Sequence, residues 1–109
     1  AAVERVTDLV RDPNPVVRRA AGVALATSGS PNALPGAAML ARDDDDLVVS
    51  AGMGALANFP TDEAAQALDY IAANEKLDQR TRRMARRLRE GMRKRQRLEE
   101  QAPGEDDQG

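Results

Sequence analysis

DPNPVVRRAAGVAL at residues 12–25 and DDDDLVVSAGMGAL at residues 43–56 are two versions of one sentence, the second starting 31 positions after the first. Asp12, Val17, Ala20, Ala24 and Leu25 meet Asp43, Val48, Ala51, Ala55 and Leu56 at that offset. The agreement extends upstream, where Val3, Val6, Leu9 and Arg11 match Leu34, Ala37, Leu40 and Arg42. A looser third copy follows. Ala65, Leu68, Ile71 and Asn74 continue the first-helix pattern, and TRRMA at 81–85 echoes VRRAA at 17–21, with one or two extra residues in the turn. Each copy reads as a pair of helices whose apolar face is buried only when a neighbouring copy covers it.

Helix punctuation agrees. Asn14 before Pro15 is an N-cap with proline in the first turn, and Ser30 before Pro31 repeats the device. Thr61, followed by Asp62 and Glu63, is a third start, with acids at the positive end of the helix dipole. Pro35 falls in a first turn, where a missing N–H costs little. With breakers at TSGSP, NFPTD and NEKLD, these signals predict helices over about 3–11, 15–27, 31–42, 46–58, 62–73 and 78–99. The last outruns its partner and is expected to project from the stack. From residue 101 onward, QAPGEDDQG has no apolar periodicity and reads as an acidic disordered tail.

The composition fits this reading. The chain has 109 residues, 41% apolar but only 2% aromatic, so the core is largely Ala, Leu, Val and Met. Cys is absent, which excludes disulfides, thiolate nucleophiles and zinc–thiolate sites. His is absent too, which removes the commonest general base and metal ligand near neutral pH. No cofactor is implied. No apolar run approaches the roughly 20 residues of a membrane span, and the start lacks a signal pattern, so the default location is cytoplasmic. The first residue is not Met, and repeat one lacks its beginning, both consistent with a piece of a longer solenoid.

The net charge of −2 conceals a division. Residues 1–79 hold 12 acids and 6 bases, residues 80–97 hold 10 bases and Glu90, and residues 98–109 hold 5 acids. DDDD at 43–46 reads as capping and dipole complementation at a helix start, with cation binding as the alternative. Gly22, Gly52 and Gly54 lie inside helices and are expected at close helix approaches. No strand precedes them and no Gly-Lys-Ser/Thr follows, so they are not a phosphate loop.

The unit of amphipathic helix, Asp-Pro or Asp-Asp turn, and VRRAAGVAL resembles the HEAT repeat, specifically the short bacterial form also found in phycobilin lyases. The resemblance covers about residues 3–92. It implies an all-α fold, an α-solenoid of about three HEAT-like helix pairs with an extended C-terminal helix, spanning residues 1–100 in repeats at about 3–27, 31–58 and 62–92. It also implies an inter-repeat ladder of turn Asp and helix Arg, whose places here are taken by Asp12, Arg18, Asp43 and Arg82. Repeat two departs from it, with Val49 or Ser50 where Arg is expected.

Functionally, the resemblance implies a scaffold whose second helices line a concave surface that grips a protein partner. Positions opposite the core stripe are taken as Arg19, Val23 and Ala26, then Val49, Met53 and Ala57, then Arg83 and Arg87. Such a strip suits a helix or peptide with apolar and acidic groups. The alternative for Val49 and Met53 is packing under the final helix. The run QRTRRMARRLREGMRKRQR places Thr81, Met84, Ala85, Leu88 and Met92 on one stripe and arginines on most of the rest. Protein acids, nucleic acid phosphates, an anionic membrane surface or plain solvent are the candidate occupants, with the acidic tail competing for the same arginines. Aromatic residues for base stacking or membrane anchoring are scarce. An enzyme-associated module, like phycobilin lyase subunits or HEAT-like DNA glycosylases, is the other class. It finds no nucleophile paired with a base and no aromatic residues for a base pocket beyond Phe59 and Tyr70.

Overall fold

The structure is a computed structural model that describes residues 2–101, with side chains from residue 5 onward. The expected tail, apart from Gln101, lies outside the described residues. Six α-helices account for the fold: α1 (Ala2–Leu9), α2 (Pro15–Ser28), α3 (Leu34–Leu40), α4 (Asp46–Leu56), α5 (Asp62–Ala73) and α6 (Gln79–Gln101). Among the described residues there is no strand.

The turn between the helices of each pair is built the same way three times. The side-chain oxygen of Asp12 accepts from Asn14 N at 2.9 Å, that of Asp43 from Asp45 N at 3.0 Å, and that of Asn74 from Lys76 N at 3.1 Å. Asp12, Asp43 and Asn74 stand 31 residues apart, so Asn74 is the turn residue of repeat three, beyond the end of α5. The next helix is then capped by Asn14 on Val16 N, by Asp45 on Leu47 N and Val48 N, and by Asp78 on Thr81 N. Each cap satisfies N–H groups that a helix start leaves without a partner. The third cap comes four residues after its turn residue instead of two, which locates the extra length of repeat three.

The stretch expected as one helix over 31–42 is divided. Pro31–Ala33 forms a 3₁₀ turn, capped by Ser30 on Asn32 N, before α3 begins. Pro35 has no N–H to donate back to Pro31, and Leu34 N bonds that carbonyl instead, which is the tighter 3₁₀ connection. At the end of α2 the chain reverses through Gly29, whose φ of 67° is the left-handed value that glycine adopts without a Cβ penalty.

The pairs α1–α2, α3–α4 and α5–α6 stack so that α2 packs on α4 and α4 on α6, while α3 packs on α5. One continuous core joins them, its largest fully buried side chains being Leu25, Leu40, Val48, Val49, Met53, Leu56, Leu68 and Ile71. Helix α4, in the middle, buries Val48, Val49, Gly52, Met53, Ala55 and Leu56 on one side and leaves Leu47, Ser50 and Gly54 exposed on the other. Two helical glycines set how closely the layers approach. A Cβ on Gly22 of α2 would stand 2.7 Å from Ala51 Cβ of α4, and one on Gly52 would stand 2.8 Å from Leu40 Cβ of α3. Gly54 differs from the expectation, since nothing lies within 4 Å of a Cβ there. Its helix surface is open.

Candidate functional site

Counting from the three caps fixes which positions of the second helices are equivalent. Four residues after Asn14, Asp45 and Asp78 come Arg18, Val49 and Arg82, and eight after come Gly22, Met53 and Arg86. This register turns toward the following repeat: Arg18 reaches Asp43, and Gly22 abuts Ala51. Val49 and Met53 carry it in repeat two and are buried, at 0% and 2% exposure. They are therefore core residues, and their assignment to a partner-binding strip is corrected. A one-residue rotation separates them from the surface positions, because the 31-residue offset carries Arg19 to Ser50 and Val23 to Gly54. Ala26 and Ala57, half-buried, flank the strip instead of forming its centre.

The true exposed rows are short and specific. Val16 and Leu47 share one row with Arg80; Arg19 and Ser50 share the next with Arg83; Val23 and Gly54 share a third with Arg87. Val16 is 70% exposed, and Val23 and Leu47 are 56% each, with Met84 of α6 at 40%. Leu47, Ser50, Gly54 and Met84 are the members that sequence reasoning missed, although its own offset contained the first three. Ala20 and Ala51 supply small side chains between them. The face made by α2, α4 and α6 thus carries the apolar Val16, Val23 and Leu47 around Arg19 and Ser50 over the first two repeats and is basic over the third.

Electrostatics separates the arginines of α6 by direction. On the side toward α5, Arg89 pairs with Asp69 at 3.3 Å and Arg86 donates to the Ala72 carbonyl. Farther along, Arg93 and Arg97 share Glu90, each at 3.5 Å, and Arg95 donates to the Ala57 carbonyl. Arg80 sits beside Asp78, whose charge it favours. Arg83, Arg87 and Lys94, exposed like Arg19, have no acid partner among the described residues.

The inter-repeat ladder is a single rung. Arg18 grips Asp43 with two bonds, Nε–Oδ2 at 2.8 Å and Nη2–Oδ1 at 3.3 Å, while Nη1 donates to the carbonyls of Asp12 and Pro13. The paired side chains are 19% and 12% exposed, so water screens the pair only partly. The Asp12 carboxylate serves its own turn. Arg82 does not extend the ladder: its Nε is buried with no hydrogen-bond partner among the described residues.

The acidic run divides its labour too. Asp43 holds Arg18, Asp45 caps α4, and Asp46 meets Asp78 from the start of α6. Desolvation, then the hydrogen bond to Asp78 and its charge, make Asp46 hold its proton more tightly than an ordinary carboxyl. Asp78 is held below the usual range, mainly by donors from Thr81.

With this geometry, the family follows. A model of HEAT repeats matches residues 3–89. The chain belongs to the HEAT-repeat family. Its three HEAT repeats are the three helix pairs, and Arg18–Asp43 is the rung between the first two. HEAT repeats are commonly protein-interaction modules and are usually non-catalytic. No curated protein and no solved structure matches the chain significantly. No helix among the described residues is long and apolar enough to cross a membrane.

Proposed function

We propose that these HEAT repeats form a non-catalytic scaffold module that holds a protein partner against the face of α2, α4 and α6. The partner presents an apolar stretch to Val16, Val23 and Leu47 and acidic groups to the basic third repeat. One observation carries the reading: three large aliphatic side chains, Val16, Val23 and Leu47, each more than half exposed, occupy matching outward positions of the adjacent second helices α2 and α4. An aligned apolar strip of this kind marks an interaction site more often than scattered exposed residues do. The bare backbone at Gly54 and the small Ala20 and Ala51 leave room for a helix or extended segment to approach closely. With neither His nor Cys, the chain is poorly equipped for acid–base or thiolate chemistry, which agrees with a scaffold role.

The test is site-directed photo-crosslinking in a native extract. A photo-reactive residue at Ser50, on the proposed face, is expected to trap a discrete partner, whereas one at the exposed Gln66 of α5 is not. Val23→Asp with Leu47→Asp is expected to abolish trapping while thermal stability is unchanged, because both side chains are already in water. Trapping from Gln66 alone, or trapping indifferent to the double substitution, refutes the assignment of the face.

A further inference from the structure

The feature that this reading leaves unexplained is the selectivity of pairing along α6. Arg86, Arg89, Arg93, Arg95 and Arg97 each find a carboxylate or a carbonyl, whereas among the described residues the exposed Arg83, Arg87 and Lys94 find none, and these three fall on one side of the helix at spacings of four and seven residues. At 1.5 Å of rise per residue they form a line of about 16 Å. Four and seven residues are the near-integral turns of a helix, so all three cations share one face. Glu90, three residues after Arg87 and four before Lys94, borders the same face and is engaged by Arg93 and Arg97.

We infer that Arg83, Arg87 and Lys94 are a docking row for the carboxylates of an acidic partner helix lying along α6, a proposal that rests on the docking reading of the face. A helix laid alongside has the same rise, so its acids match the row at i, i+4 and i+11 if it runs parallel to α6, and at i, i+7 and i+11 if antiparallel. The occupant is protein and not nucleic acid for a reason on the same surface. Met84, 40% exposed, stands next to Arg83 and three residues before Arg87, with Leu47 exposed on the adjacent α4, and a partner helix covers apolar and basic groups together where a phosphate backbone covers only the latter.

The experiment uses fluorescence anisotropy on the whole chain with labelled, Ala-rich helical peptides carrying one Leu and three Glu at each of the two spacings. A Gln-substituted peptide and a random DNA duplex are the comparisons. One Glu peptide is expected to bind at least 10-fold more tightly than the Gln peptide. Arg83→Glu with Arg87→Glu is expected to remove that difference without lowering Tm, and a peptide with Lys in place of Glu is expected to bind the reversed variant. Binding indifferent to the charge reversal overturns the inference, as does tighter, salt-sensitive binding of the duplex through the same arginines. The Ser50 crosslink keeps the two levels apart. Trapping that depends on Val23 and Leu47 but not on Arg83 and Arg87 sinks the row and leaves the docking face standing; trapping that depends on neither pair sinks both.

Discussion

Alanine replacing glycine has opposite effects at two positions that look alike in sequence. Gly22 and Gly54 both sit inside second helices, where glycine is less favourable than alanine by about 0.5–1 kcal/mol. At Gly54 nothing lies within 4 Å of the added methyl, so Gly54→Ala is expected to stabilise by about that amount. At Gly22 the methyl arrives 2.7 Å from Ala51 Cβ and 3.1 Å from the Ala51 carbonyl carbon and Leu40 Cδ1. Carbon atoms prefer about 3.5–4.0 Å, and one of the neighbours is backbone, so α2 and α4 have to separate. Overpacking of this kind costs about 1–3 kcal/mol. Taking the upper half of that range and subtracting the helix gain leaves a net loss of about 1–2.5 kcal/mol. In a domain this size, 1 kcal/mol moves Tm by about 4–8 °C, so Gly22→Ala melts about 4–20 °C lower and Gly54→Ala about 2–8 °C higher. Far-UV circular dichroism melts and urea midpoints measure both. A Tm gain for Gly22→Ala, or a loss for Gly54→Ala, refutes the assigned rotation of the second helices. Gly54→Leu then serves function: the fold is expected to tolerate it, while the Ser50 crosslink weakens because the bare floor of the face is filled.

The core register is checked by Leu25→Ala and Leu56→Ala, each expected to cost about 2–5 kcal/mol in urea unfolding because both side chains are fully buried between repeats. Arg18→Ala and Asp43→Ala are each expected to cost about 1–3 kcal/mol by opening the partly buried rung, with a double-mutant cycle showing coupling between them. The Asp46–Asp78 contact makes stability pH-dependent in two senses. Asp46 has a raised folded pKa, so its contribution is present below about pH 3.8 and lost as pH rises through the folded value. Asp46→Asn should therefore match the parent in acid and melt at or above it at neutral pH. Asp78 has a lowered folded pKa, so its contribution is present above that same 3.8 and lost as pH falls through the folded value. Asp78→Ala should melt lower at neutral pH, with the difference shrinking in acid.

The sequence by itself determined the number of helices, their pairing into repeats and most of their ends. Those depend on interactions within a few residues: Asn14, Asp45 and Thr61 bond N–H groups two or three positions on, and Leu25 and Leu56 recur because each repeat solves the same burial problem. Even the 3₁₀ turn before α3 is local in origin, the consequence of Pro35 lacking a donor. The tertiary structure decided which side of each second helix is surface. Helix α4 is apolar nearly all round because it is packed on both sides, so no amphipathic stripe reveals its rotation, and a displacement of one residue exchanges the buried Val49 and Met53 for the exposed Ser50 and Gly54. The sorting of the α6 arginines was likewise decided by packing. Along the chain they are one basic run, and the placement of Asp69, Ala72 and Ala57 beside the helix gives Arg89, Arg86 and Arg95 their partners, while Arg83, Arg87 and Lys94 have none among the described residues, since which neighbours lie across from a charge in space is set by the packing of α4 and α5.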